Sequence, residues 1–220
     1  MPPYRRDDGR RLALWLALVA LLIALGYGSR ASAGKPDPQV LYEWSTAIGG
    51  LIQFGIILVL VLAIAGFSTR LLALRRPTAY SATARALGIA LVAIYAFEIT
   101  YGRLVHVGNE QGLTPSHWEP HHAAAYIVNA IVICTWVPFV EELTYRGLGY
   151  SLLEPFGRWQ AIIAVGLLFG LAHGLIESLP VLALFGGVLA WIRSRTESVY
   201  PGMLLHALFN LVALVAAVTL

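Results

Sequence analysis

Seven apolar runs, separated by short breaks rich in Gly, Pro, Asp and Arg, occupy most of this 220-residue chain. They cover about residues 12–28, 46–67, 84–101, 122–153, 158–174, 179–193 and 199–219. As a helix, a run of roughly 20 apolar residues crosses the hydrocarbon core of a bilayer. Polarity within the runs follows no helical period, as expected where most faces meet lipid or other helices. The breaks include Gly34-Lys35-Pro36-Asp37-Pro38, Arg75-Arg76-Pro77, Glu154-Pro155-Phe156-Gly157 and Ser178-Leu179-Pro180. The expected fold is all-α: a polytopic membrane bundle of about seven transmembrane helices. The fourth run is too long for one straight span, and Pro138 inside it predicts a kink.

Composition agrees, with 58% hydrophobic and 12% charged residues and a mean hydropathy of +0.72. The formal charge of +3 and pI near 9.2 do not indicate nucleic acid as a partner, because the arginines lie in short loops that orient helices. Twelve Lys and Arg, from Arg5 to Arg195 and including Arg146, fall on one side of the expected bundle. Arg30, Lys35 and Arg103 fall on the other. This bias predicts a cytoplasmic N-terminus, an outer C-terminus and an odd number of spans. The preference for Arg over Lys and the short loops point to a bacterial cell membrane. Residues before Ala31-Ser32-Ala33 also read as a signal peptide, although an uncleaved first helix is preferred. Cys134 is the single cysteine, which excludes an intrachain disulfide and a cysteine-based metal site.

Against this background seven polar residues stand out: Asn129, Glu141, Glu142, Arg146, His173, His206 and Asn210. A charge near the bilayer centre costs about 3 kcal/mol even on lenient scales, so intramembrane ionisable groups are read as functional. Glu141 lies 16 residues before position 157, the centre of the turn between runs four and five, and His173 lies 16 after it. Antiparallel helices of equal rise bring such positions to equal depth. Overlapping small-xxx-small patterns at Gly166, Gly170 and Gly174 allow the close helix approach that this pairing needs. Glu142 and Arg146 are four apart and read as an ion pair that makes both charges tolerable. Glu141 points about 100° away, with no cation on its own helix, and is left free as a base. His206 and Asn210 share one face of the last helix and read either as oxyanion donors or as interhelical glue.

Three motifs now stand in order: Glu141-Glu142-Leu143-Thr144-Tyr145-Arg146 as EExxxR, Phe169 to His173 as FxxxH, and His206 to Asn210 as HxxxN. They resemble the CAAX-protease and bacteriocin-processing family of intramembrane proteases, also called the Abi family. The resemblance covers about residues 122–215 of a single membrane domain, 1–220, whose first 121 residues are poor in motifs. It implies that Glu141 and His173 activate a water, that His206 and Asn210 bind the oxyanion, and that Glu142 and Arg146 hold the site together. It also implies a membrane-associated peptide or protein as substrate. Members are often labelled metalloproteases, and Glu141, His173 and His206 are possible zinc ligands. Water activated by glutamate without a metal is preferred, since a zinc site would leave only Glu142 as a general base.

Other polar residues read as structural. His106, His117, His121 and His122 crowd an irregular segment with the interfacial Trp118. Glu98 reads as an interfacial carboxylate rather than a cavity residue. Two other classes of function remain open, a small transporter and a non-catalytic scaffold or immunity protein. Transporters usually carry repeated halves with interrupted helices, and no internal repeat is visible. A silent scaffold would not need every motif position filled. Oligomeric state is not legible.

Overall fold

The computed structural model describes residues 6–33, 37–78, 80–105, 110, 115 and 118–219. His106, His117 and most of the Gly34–Pro38 break lie outside them. Seven helices follow in the expected order: α1 (Arg6–Ala33), α2 (Trp44–Ala65), α3 (Tyr80–Leu104), α4 (Pro120–Phe156), α5 (Arg158–Ala172), α6 (Leu179–Thr196) and α7 (Tyr200–Thr219). No strand occurs among the described residues. Five of these helices (α1, α2, α3, α4 and α7) are long and apolar enough to cross a membrane. The shorter α5 and the arginine-ended α6 form a hairpin, with Trp159, Ile163 and Leu167 of α5 on the outer surface.

Apolar side chains divide between an interior and an outer belt. Trp15, Val61, Val140, Leu148, Val165, Phe169, Phe185 and Leu189 are buried in one core. Ile48, Ile52, Ile56 and Val59 on α2, and Ile89 and Val92 on α3, face outward. In water such a surface would promote aggregation; against lipid it is the solvated face.

Helix α4 continues through Pro138 without a break in its helical backbone. It widens into two π-helical stretches, Val132–Trp136 and Leu143–Gly149, with an α-helical segment between them. Proline cannot donate to the carbonyl four residues back, and the wider i to i+5 turn before it absorbs the mismatch without breaking the helix. All seven residues of the second stretch are buried.

The glycine patterns of α5 serve a different partner from the one expected. A Cβ at Gly166 would lie 2.8 Å from the Ala183 carbonyl oxygen, and one at Gly170 would lie 2.9 Å from the Ala183 nitrogen. These glycines therefore press α5 against α6, not against α4. Gly174, with φ of +66°, packs instead on the backbone of Gly26 in α1. Small residues permit close approach on whichever face carries them, and spacing alone does not name the neighbour.

Helix α1 is built into the bundle. The buried Trp15 indole donates to the Thr144 carbonyl at 2.9 Å, inside the second π-stretch. This contact ties α1 to the middle of α4.

The segment 66–78 tucks inward, burying Leu72 and Ala73. Its Ala73 carbonyl accepts from Val199 N, while the Leu72 carbonyl lies 2.8 Å from a Cβ placed on Gly147. Helix α7 therefore starts level with Gly147, about 15 Å short of the turn at 157. This recess lets His206, only six residues into α7, reach the middle of α4. Arg11, Arg75, Arg158, Arg193 and Arg195 gather at the same end of the bundle. Arg146 is not one of them, because it is buried in the interior.

Candidate active site

Three helices converge on Glu141. His173 Nε2 stands 4.0 Å from Glu141 Oε1, and His206 Nε2 stands 3.6 Å from Glu141 Oε2. Glu141 and His173 are partly exposed, with 14% and 23% of their side chains accessible, while His206 is buried. The cluster therefore has one accessible face, on the Glu141–His173 side.

Each imidazole is fixed through its other nitrogen. His173, the residue that ends α5, donates from Nδ1 to the Phe169 carbonyl at 2.8 Å. That carbonyl is free because the helix stops there. With Nδ1 carrying the proton, Nε2 presents a lone pair towards Glu141. His206 Nδ1 lies 3.2 Å from Glu142 Oε1, which orients its ring in the same way.

Glu142 and Arg146 form the expected pair at 2.9 Å, both fully buried. The second π-stretch begins just after Glu142 and carries Arg146. Arg146 also donates to the Gly186 carbonyl at 3.1 Å and lies 4.2 Å above the Phe169 ring. Glu142 Oε2 has no hydrogen-bond partner among the described residues. A Cβ at Gly202 would come within 2.6 Å of that oxygen, so glycine is required for α7 to approach.

Two features were not legible in the sequence. His206 is shared between both glutamates, and its contact with Glu142 has no signature in the sequence. Phe169 forms a central platform: its ring packs edge-on against His173, His206 and Tyr145 and beneath Arg146. The FxxxH motif contained the signal, since a residue four before a helix-ending histidine offers it both a carbonyl and a ring. Phe185, with no motif to mark it, packs on His206 and Phe169.

Asn210 is placed one turn beyond His206 and donates from Nδ2 to the Ile133 carbonyl at 2.9 Å, within the first π-stretch. One amide N–H thus joins α7 to α4, and the amide keeps a second. Asn129 is structural, donating to the Leu41 and Glu43 carbonyls and so fastening the α1–α2 connection. Cys134 is buried in a small apolar cluster, Glu98 is exposed on α3, and His122 pairs with Glu119 at 2.7 Å.

Glu141, His173 and His206 are donor types that zinc takes. Ligands at about 2.0–2.1 Å in a tetrahedron stand about 3.4 Å from one another. The separations here are 3.6 and 4.0 Å, and no group of three such side chains among the described residues is gathered as a metal site.

Comparison with known proteins bears on the same stretch of chain. Residues 123–212 match the family model described as type II CAAX prenyl endopeptidase Rce1-like. No curated protein and no solved structure matches the chain. The matched region spans α4 to most of α7 and holds all three motifs. Residues 123–212 are thus similar to the Rce1-like CAAX prenyl endopeptidases, in agreement with the resemblance carried by their motifs.

Proposed function

We propose that the protein is an intramembrane endopeptidase that hydrolyses a peptide bond in a membrane-associated protein or peptide. The observation that carries this reading is the convergence of His173 and His206 on Glu141, within 4.0 Å, from three helices remote in sequence. A water held between Glu141 and His173 Nε2 gives up one proton to the carboxylate as its oxygen attacks the scissile carbonyl. The resulting oxyanion receives hydrogen bonds from His206 and the second Asn210 N–H. Acting through Nε2 requires His206 to be the imidazolium, with its Nδ1–H on Glu142. Collapse of the tetrahedral intermediate returns the proton to the leaving amine and regenerates the Glu141 carboxylate. Glu142 and Arg146 position His206 and touch no reacting atom. No step passes through a metal.

Comparative membrane proteomics of cells carrying the intact protein or Glu141→Ala tests the proposal. A precursor that accumulates with the variant, together with a shortened product seen only with the intact protein, identifies substrate and reaction. Identical peptide patterns in both cell types would overturn the protease reading. Prenylated proteins are the substrates that the family description suggests, and the same experiment shows whether any are cut.

A further inference from the structure

At the arginine-rich end of the bundle, far from Glu141, lies a cluster that the proteolytic reading does not use. Arg158 opens α5 and donates from Nε to Ser194 Oγ at 3.2 Å; Arg193, near the end of α6, donates from Nη2 to Ser151 Oγ at 3.4 Å. Arg193 is only 4% exposed, and its Nε has no hydrogen-bond partner. Arg158 Nη2 is likewise buried without a partner. A buried N–H of a guanidinium left unpaired costs more than a neutral donor would, so two on residues that both lie near Tyr150 mark a place built for an acceptor.

The surrounding charges point the same way. Glu154 lies near Arg193 and meets the Tyr150 hydroxyl at 3.5 Å, offsetting one guanidinium charge and leaving the other. Arg75 is paired with Glu197 at 3.1 Å, so neither changes this balance. The first turn of α5 has no acidic residue and no side-chain cap, and its free N–H groups add positive potential at the same spot. Flanking the cluster, Trp159 lies under Arg158 and Trp191 under Arg195, each within 6 Å. Trp159 is also largely exposed. Tryptophan of this kind marks headgroup depth.

We propose that this cluster is a binding site for a phosphate group, presented by an anionic lipid headgroup. The phosphate oxygens accept from Arg158 Nη2 and Arg193 Nε after a small rotation of either side chain, and the acyl chains run along the apolar outer face of α5. Basic pockets between membrane helices recognise acidic lipids by the same chemistry.

The test uses the purified full-length protein in detergent, with dioleoylphosphatidylglycerol, dioleoylphosphatidylcholine or inorganic phosphate added. Native mass spectrometry counts retained lipid, and a thermal melt reads stabilisation. Phosphatidylglycerol should be retained near one per chain and should raise the melting temperature, with phosphatidylcholine doing neither. Arg158→Gln should lower retention about tenfold, the equivalent of about 1.4 kcal/mol. Ser194→Ala, which removes no charge, should lower it less, and it remains informative if the arginine variant does not fold. Arg76→Gln, an exposed arginine in the α2–α3 connection, should leave it unchanged. Equal losses with Arg76→Gln and Arg158→Gln would reduce the effect to general attraction and overturn the site. Equal retention of the two lipids would overturn it too. Displacement of phosphatidylglycerol by inorganic phosphate would keep the phosphate site but refute the lipid as its source.

Discussion

Removing Arg146 is the perturbation whose consequence the structure specifies most fully. The guanidinium is fully buried, bonded to Glu142 at 2.9 Å and to the Gly186 carbonyl at 3.1 Å, with the Phe169 ring beneath it. In Arg146→Ala, Glu142 keeps only His206 Nδ1, at 3.2 Å, as a side-chain partner for its fully buried carboxylate. Breaking a buried pair in this way costs about 3–5 kcal/mol, or roughly 6–20 °C in melting temperature for a chain of this size. Arg146→Met together with Glu142→Gln removes both charges and should recover most of that loss. It should not recover proteolysis, because the carboxylate that orients His206 is gone. Fluorescence-detected size exclusion after heating measures the folded fraction of all three proteins, and cleavage of the identified substrate measures activity. The reasoning fails if Arg146→Ala melts within about 2 °C of the unmodified protein, which corresponds to at most about 1 kcal/mol. It also fails if the double variant is no more stable than the single one.

Further outcomes are expected at three other points. Exhaustive chelation of the purified enzyme should leave activity intact, whereas loss restored by stoichiometric zinc would make Glu141, His173 and His206 ligands. Asn210→Ala should reduce turnover about 10²–10³-fold with little change in substrate binding, the usual effect of one oxyanion donor; a loss of stability alone would leave it only its bond to Ile133. Glu110, outside the spans, is the third. Burial opposes its charge, but N–H bonds from Ile176, Ser178 and Glu177 prevail and hold its carboxyl below the ordinary value of 4.5. Such a group stabilises the fold above that value, and the contribution disappears as pH falls below it through the depressed folded value. Glu110→Gln should therefore lower the melting temperature by a few degrees at pH 7, and the gap should close in acid.

Equal sequence distance from the turn at 157 placed Glu141 and His173 at similar depth, because the two antiparallel helices share a common origin there, although residues 143–149 are π-helical. The i, i+4 spacing of Glu142 and Arg146 was sufficient for their ion pair for the same local reason. What depended on long-range docking was not legible. The recessed start of α7 rests on Leu72 and Ala73, in a segment with no distinguishing pattern, and without it His206 would not reach either glutamate. The π-stretches leave no periodic trace in an all-apolar run, where Pro138 was the one sign of irregular helix. Gly166 and Gly170 announced close packing, yet the face they occupy turned to Ala183 rather than to Glu141.

The bond from Trp15 to Thr144 has a consequence for synthesis. Its partners are 129 residues apart, so α1 leaves the ribosome long before its docking site exists. At about 5–20 residues per second the interval is roughly 6–26 s. Throughout it the Trp15 indole needs another acceptor, which the headgroup region supplies, and the small face of Gly26 has no Gly174 to meet. The first helix must therefore wait in lipid with only α2 as a neighbour and complete its docking when α4 and α5 arrive. A truncation before residue 144 would leave Trp15 without the carbonyl it meets in the folded protein.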